Sequence, residues 1–122
     1  MSLRQKYVRD CDGYWQQLIA LRAKHTCESC GASCGSGHHI IKRRYFATRW
    51  DLRNGVYLCN RCHHLAETEQ FRFLDWLLKK HKTRYWWAYD VKPQVMMNTN
   101  YLYIYEIKAI RDALKKAVKD ND

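Results

Sequence analysis

Two Cys-x-x-Cys pairs, Cys27 with Cys30 and Cys59 with Cys62, enclose a His38-His39 doublet and an isolated Asn54, and His63 directly follows the last cysteine. Four thiolates presented on two short loops can surround one zinc ion tetrahedrally, each sulfur about 2.3 Å from the metal. With every position filled by sulfur, such an ion has no place for water or substrate, and its work is structural. A competing assignment draws on Cys34, shortly beyond Cys30, or exchanges one thiolate for a neighbouring histidine. Cys11 has no partner in sequence and reads as a small buried hydrophobe.

The histidines offer a second chemistry. Adjacent residues on an extended strand point to opposite faces, so His38 and His39 are expected to have different roles. His63 stands beside the second cysteine knuckle, a rigid anchor for a group that needs a fixed position. Glu67 lies one helical turn further on and shares its face, which lets an imidazole and a carboxylate meet one ion.

Short elements must position these groups. Tyr14, Trp15, Leu18, Ile19 and Arg22 recur at helical spacing, which predicts an N-terminal helix over about residues 12–24 with Asp12 as its cap. The small-residue run Gly31 to Gly37 predicts a loop or tight hairpin, followed by a strand from His38 to Ile41. Val56 to Leu58 reads as a second strand, and Asn60 as the cap of a helix carrying Cys62, His63, Leu65 and Ala66. A stripe of Phe73, Leu74, Leu77 and Leu78 predicts another helix, with Lys79, Lys80 and Lys82 at its end. Residues 83–100 read as irregular with one short helical piece, because Lys92-Pro93 disfavours continuous helix and Asn98-Thr99-Asn100 is turn-like. A last helix is expected from Tyr101, with Tyr103, Ile107, Ile110, Leu114 and Ala117 on one face packed against its own domain rather than a second copy. The expected fold class is α+β and mostly helical. One domain spans residues 1–122, with a metal-stapled core at about 24–67 and a helical extension at about 68–120.

Lys and Arg number 22 against 12 Asp and Glu, a formal charge of +10, which favours a polyanionic partner, nucleic acid first. No apolar run is long enough to span a bilayer, so a membrane is not the expected partner. The N-terminal residues lack the apolar region of a signal peptide, and six cysteines with this pairing suit metal-bound thiolates in a reducing cytoplasm. Lys42, Arg43, Arg44, Arg49, Arg53 and Arg61 lie within or beside the metal-ligand motif, where they are expected to hold phosphates. Tyr45, Phe46 and Trp50 interleave with them and are expected to pack in the core.

The string Cys27, Cys30, His38-His39-Ile40, Asn54-Gly55-Val56-Tyr57-Leu58-Cys59 and Cys62-His63 resembles the HNH endonucleases of the ββα-metal fold, in their zinc-containing Cys-x-x-Cys subgroup. It is similar in particular to small phage-encoded members and, more distantly, to the lambdoid NinG (Rap) recombination nucleases. The resemblance covers about residues 24–67. It implies a small ββα-metal core flanked by helices, with His39 as general base and Asn54 as the residue that orients it. It also implies His38 and His63 as ligands of one catalytic divalent ion, Mg²⁺ or Mn²⁺, with Glu67 where some relatives place a third ligand. DNA would be the substrate, cut to 5′-phosphate and 3′-hydroxyl ends by a monomer or a homodimer. If the chain is phage-encoded, the bacterial host cytoplasm would be its location. Many members carry Pro shortly after His-His-Ile; here Ile41-Lys42-Arg43-Arg44 follows, making that loop basic. The alternative is a zinc-stapled module that binds DNA or docks in a phage complex without cutting.

Overall fold

Trp15 and Ile19 lie on one face of α1 (Leu3–Arg22), and both are almost fully buried against a two-stranded ribbon. In the computed structural model, which describes residues 1–97 and 101–121, the ribbon pairs β1 (Ser36–His39) antiparallel with β2 (Gly55–Leu58). The register sets Ser36 opposite Leu58, Gly37 opposite Tyr57, His38 opposite Val56 and His39 opposite Gly55. A Cβ at Gly37 would stand 2.7 Å from the Trp15 ring, so this position must lack a side chain for α1 to lie on the ribbon.

Between the strands the chain makes a short helix, α2 (Phe46–Arg49), and a 3₁₀ turn over Leu52–Asn54. After β2 come α3 (Asn60–Thr68), α4 (Gln70–Lys80), α5 (Lys82–Met97) and α6 (Ile104–Asp120). The fold is mostly helical with one small antiparallel sheet, as the sequence predicted. No helix among the described residues is long and apolar enough to cross a membrane.

Three expectations about elements are corrected. The first helix starts at Leu3, not at Asp12. Ser2 caps it, its hydroxyl accepting from the Gln5 N–H while the Gln5 side chain accepts from the Ser2 N–H. Residues 3–11 look weakly amphipathic alone because their apolar members, Tyr7, Val8 and Cys11, pack on α6 rather than on the metal core. The helix closes on two left-handed residues, Lys24 and His25, with the His25 N–H donating to the Ala20 carbonyl.

The first strand occupies Ser36–His39 instead of His38–Ile41. Its small residues fit beneath Trp15, and at Ile41 the ladder gives way to the Asn54 side chain. The largest difference is α5, a helix through Pro93 where irregular chain was expected. An interior proline costs roughly 3 kcal/mol of helix stability. Ala88 and Val95 are buried with Ile41 in a separate cluster, and that burial holds the helix together. The turn expected at 98–100 lies outside the described residues.

The last helix behaves as its stripe predicted. Ile107 and Leu114 are buried and Ile110 and Ala117 half-buried, all against Cys11, Trp15 and Leu18 of α1. Tyr103 departs from the stripe: it precedes the helix as its N-cap and is exposed. Arg111 pairs with Asp10 at 3.3 Å, and Arg4 donates to the Leu102 carbonyl at 2.7 Å. The apolar stripe is thus consumed within the chain.

Candidate metal centres and cleft

Cys27, Cys30, Cys59 and Cys62 bring their four sulfurs within 4.8 Å of one another. A tetrahedron of Zn–S bonds near 2.3 Å requires sulfurs about 3.8 Å apart, so the cluster has the right size for one ion. The first knuckle turns at Gly31, whose φ of +83° suits a residue without a side chain, and whose N–H donates to the Cys27 carbonyl. The second is the entrance of α3, where Cys59 is the N-cap and Asn60 the first helical residue. The expected Asn60 cap is therefore displaced by one position.

Burial works to raise the Cys27 thiol, but N–H groups from Cys30, Cys59 and Ser29 overcome it and bring the thiol down to about 6. Cys62 is pushed up to about 12, first by burial and then by its contacts with Cys59 and Cys30. Four sulfurs this close cannot all be thiolates unless a cation shares them, and that chemistry fits zinc. Cys34 is exposed and lies outside the cluster, so the four-cysteine assignment stands over the alternative.

The second group, His38, His63 and Glu67, also brings its ligand atoms within 4.8 Å. The His38 and His63 rings meet edge to face at 4.7 Å, and His63 Nε2 lies 3.3 Å from Glu67 Oε1, as the helical spacing predicted. Phe73 of α4 closes the far side of His38, with ring centres 5.1 Å apart. Two imidazoles and one carboxylate suit a divalent ion of borderline character and leave its other positions open.

His39 occupies the opposite face of β1. Its ring stacks on Trp15 with centroids 4.1 Å apart and planes 11° from parallel, and Nε2 lies 3.0 Å from the Arg49 carbonyl. A carbonyl can only accept, so the ring proton resides on Nε2 and Nδ1 keeps its lone pair. Burial is the main cause that lowers His39 to about 4 and His38 likewise, with neighbouring positive groups adding to the effect. Both imidazoles are therefore neutral near pH 7.

Asn54 is fully buried, and among the described residues its side chain makes no hydrogen bond to His39. Its Oδ1 accepts from the Ile41 N–H at 2.7 Å, while Nδ2 donates to the carbonyls of Ile41 and Thr48 at 3.0 and 3.1 Å. It ties down the loop from Ile41 to Thr48, next to the Arg49 carbonyl on which His39 rests. Asn54 thus meets the loop backbone, one residue from the carbonyl that His39 contacts.

Sequence reasoning missed the other partner of this loop, Asp12. Its carboxylate receives two bonds from Arg49, at 3.0 and 2.7 Å, one from Trp50 Nε1 at 2.8 Å and one from Arg43 at 2.9 Å. Burial opposes ionisation of Asp12, but these donors outweigh it and hold the carboxyl below its usual range. Glu28 was missed as well: it accepts a forked pair from Arg84 and the Tyr57 N–H, tying α5 to the first cysteine knuckle. No local signal pairs Asp12 with Arg49 or Glu28 with Arg84, because each bond joins distant parts of the chain.

The six cations expected at phosphates separate. Lys42, Arg43 and Arg44 are exposed and line a cleft of about 980 Å³ that also contains His38, His39, His63 and Glu67. Arg49 is buried on Asp12, which corrects its expected place at the substrate. Arg53 pairs with Asp51 at 2.7 Å and covers the Trp87 ring. Arg61 borders a smaller hollow beside the cysteine cluster. No family model, curated protein or solved structure matches the chain.

Proposed function

We propose that the protein is a metal-dependent DNA endonuclease of the HNH type, with zinc in the cysteine site and Mg²⁺ or Mn²⁺ held by His38, His63 and Glu67. The single observation that carries this reading is the division of labour across β1. On one face a neutral imidazole meets a carbonyl through Nε2, with no partner at Nδ1 among the described residues; on the other, three ligand atoms would leave open positions on an ion. The order of ribbon and helix, β1, β2 and α3, supports the same reading.

In this mechanism His39 Nδ1 accepts the proton of the attacking water, as a neutral imidazole near pH 7 can. The Arg49 carbonyl keeps the ring in the productive tautomer, and Trp15 fixes its plane. Asn54 and Asp12 hold the loop that presents this carbonyl. Lys42, Arg43 and Arg44 draw the DNA backbone into the cleft. When bound, the divalent ion supplies charge neutralisation at the phosphate and at the departing 3′ oxygen.

The test is incubation of the zinc-loaded protein with supercoiled, linear, flapped and four-way DNA in Mg²⁺ or Mn²⁺. Nicking or cutting that disappears in His39→Ala is expected. DNA binding with no cleavage of any substrate would replace the enzyme with a zinc-stapled DNA-binding module.

A further inference from the structure

The cleft has walls that the motif does not supply. Arg9 and Gln16 of α1 line it, and Lys92 and Met96 of α5 line it as well. Arg9 and Lys92 are exposed, and among the described residues neither side chain has an ion-pair partner or a hydrogen bond. Other cations near the motif already meet carboxylates: Arg43 and Arg49 at Asp12, Arg53 at Asp51 and Arg84 at Glu28. Of the two carboxylates in the cleft, Asp12 is neutralised by Arg43 and Arg49, leaving Glu67 beside the histidines.

A single phosphate at the histidines occupies only part of a cleft of about 980 Å³. Each DNA strand carries a charge about every 3.4 Å along the helix axis, so phosphates on either side of the scissile one must pass the cleft walls. A free guanidinium and a free ammonium on those walls are placed to meet them.

We propose that Arg9 and Lys92, from helices outside the cysteine–histidine motif, are backbone-phosphate contacts that extend the DNA track beyond Lys42, Arg43 and Arg44. This rests on DNA being the ligand of the cleft, as in the function proposed above. It does not require that the DNA be cut. The track exchanges Arg49, Arg53 and Arg61, which sequence position had nominated, for two residues that only the packing of α1 and α5 brings to the cleft. These contacts carry no base information, so they set affinity and salt sensitivity rather than sequence preference.

The experiment measures binding of a short fluorescent DNA duplex by anisotropy, without added Mg²⁺ or Mn²⁺, over a salt series. Wild type, Arg9→Gln, Lys92→Gln and the double variant are compared with Lys116→Gln, an exposed position on α6 that does not line the cleft. Each phosphate contact contributes about 0.9 to the slope of log affinity against log salt. Both single variants should lose about that much, the double variant about 1.8, and Lys116→Gln nothing. Circular dichroism and zinc content should be unchanged, since neither side chain is buried.

Unchanged slopes in Arg9→Gln and Lys92→Gln would overturn the inference, even in a protein that cleaves DNA in Mg²⁺. Reduced slopes in a protein that never cleaves would uphold it and remove the nuclease reading instead. Failure to bind DNA at all would overturn it together with the DNA assignment of the cleft.

Discussion

The two ligand clusters share α3 yet live in different physical environments. Cys62 and Cys59 face inward with Val56, Leu58, Ala66 and Leu77, so the sulfur cluster is part of a hydrophobic core. One residue later, His63 turns toward the cleft, where Glu67 is largely exposed and the ligand set is incomplete. Cys30 alone of the four is exposed; an ion saturated by these sulfurs would have no position for substrate, whereas one held by three ligands at a cleft wall would keep some. An ion held by Cys59 and Cys62 would pin the first turn of α3 and with it the position of His63. Four donors within 4.8 Å lie mostly in a core environment and three at a cleft wall, which is the difference that the proposed division into staple and reaction site rests on.

The largest expected effect tests that dependence. Cys62→Ser should abolish zinc content and cost more than about 4 kcal/mol of stability, the range in which loss of a structural metal falls. Circular dichroism and metal analysis check it, and a folded, zinc-loaded Cys62→Ser protein would break the comparison. His39→Ala should keep its zinc and helix content but lower cleavage by about 10²–10⁴-fold, the contribution of a positioned general base. A similar loss of fold in both variants would mean that the two faces of β1 are not separable.

Asn54→Ala should cost about 1–3 kcal/mol, because the buried Ile41 N–H and two carbonyls lose their partner. Chemical denaturation reads this, and cleavage should fall with it, as the loop carrying the Arg49 carbonyl loosens. Asp12→Asn should be destabilising near pH 7 by about 1–2 kcal/mol, since charge-assisted bonds become neutral ones. Asp12 is held below its ordinary value of 3.8, so its contribution is present above that value and lost as pH falls through the lowered one. Wild type and Asp12→Asn should therefore converge in thermal midpoint only below about pH 4, and a constant gap down to pH 2 would contradict the ion-pair origin. Glu67→Gln should have the smallest effect, raising the Mg²⁺ or Mn²⁺ needed for half-maximal cleavage about 10-fold with zinc untouched.

What could be read in advance follows from the range of each interaction. The cysteine pairs, and His63 with Glu67, are local patterns in which backbone geometry alone brings donors together, and all of them meet in the fold. The alternation of a strand separates His38 from His39 for the same reason, and the stripe of Ile107, Ile110 and Leu114 needed only helical period. The missed features involve distant partners. Arg49 looked like any arginine of a basic segment until Asp12, from another helix, claimed it. Lys92-Pro93 looked like a break because the burial of Ala88 and Val95 against Ile41 is invisible along the chain.

By itself the sequence determined which residues could meet as ligand clusters, because ligand type and spacing are covalent facts. Only the tertiary structure decided how those residues are used. Packing α1 on the ribbon stacked Trp15 under His39 and brought Asp12 to Arg49, and packing α5 set Lys92 at the cleft. Burial and long-range pairing choose which charges are consumed inside the fold and which stay free to meet a ligand, and neither quantity exists until the chain has folded.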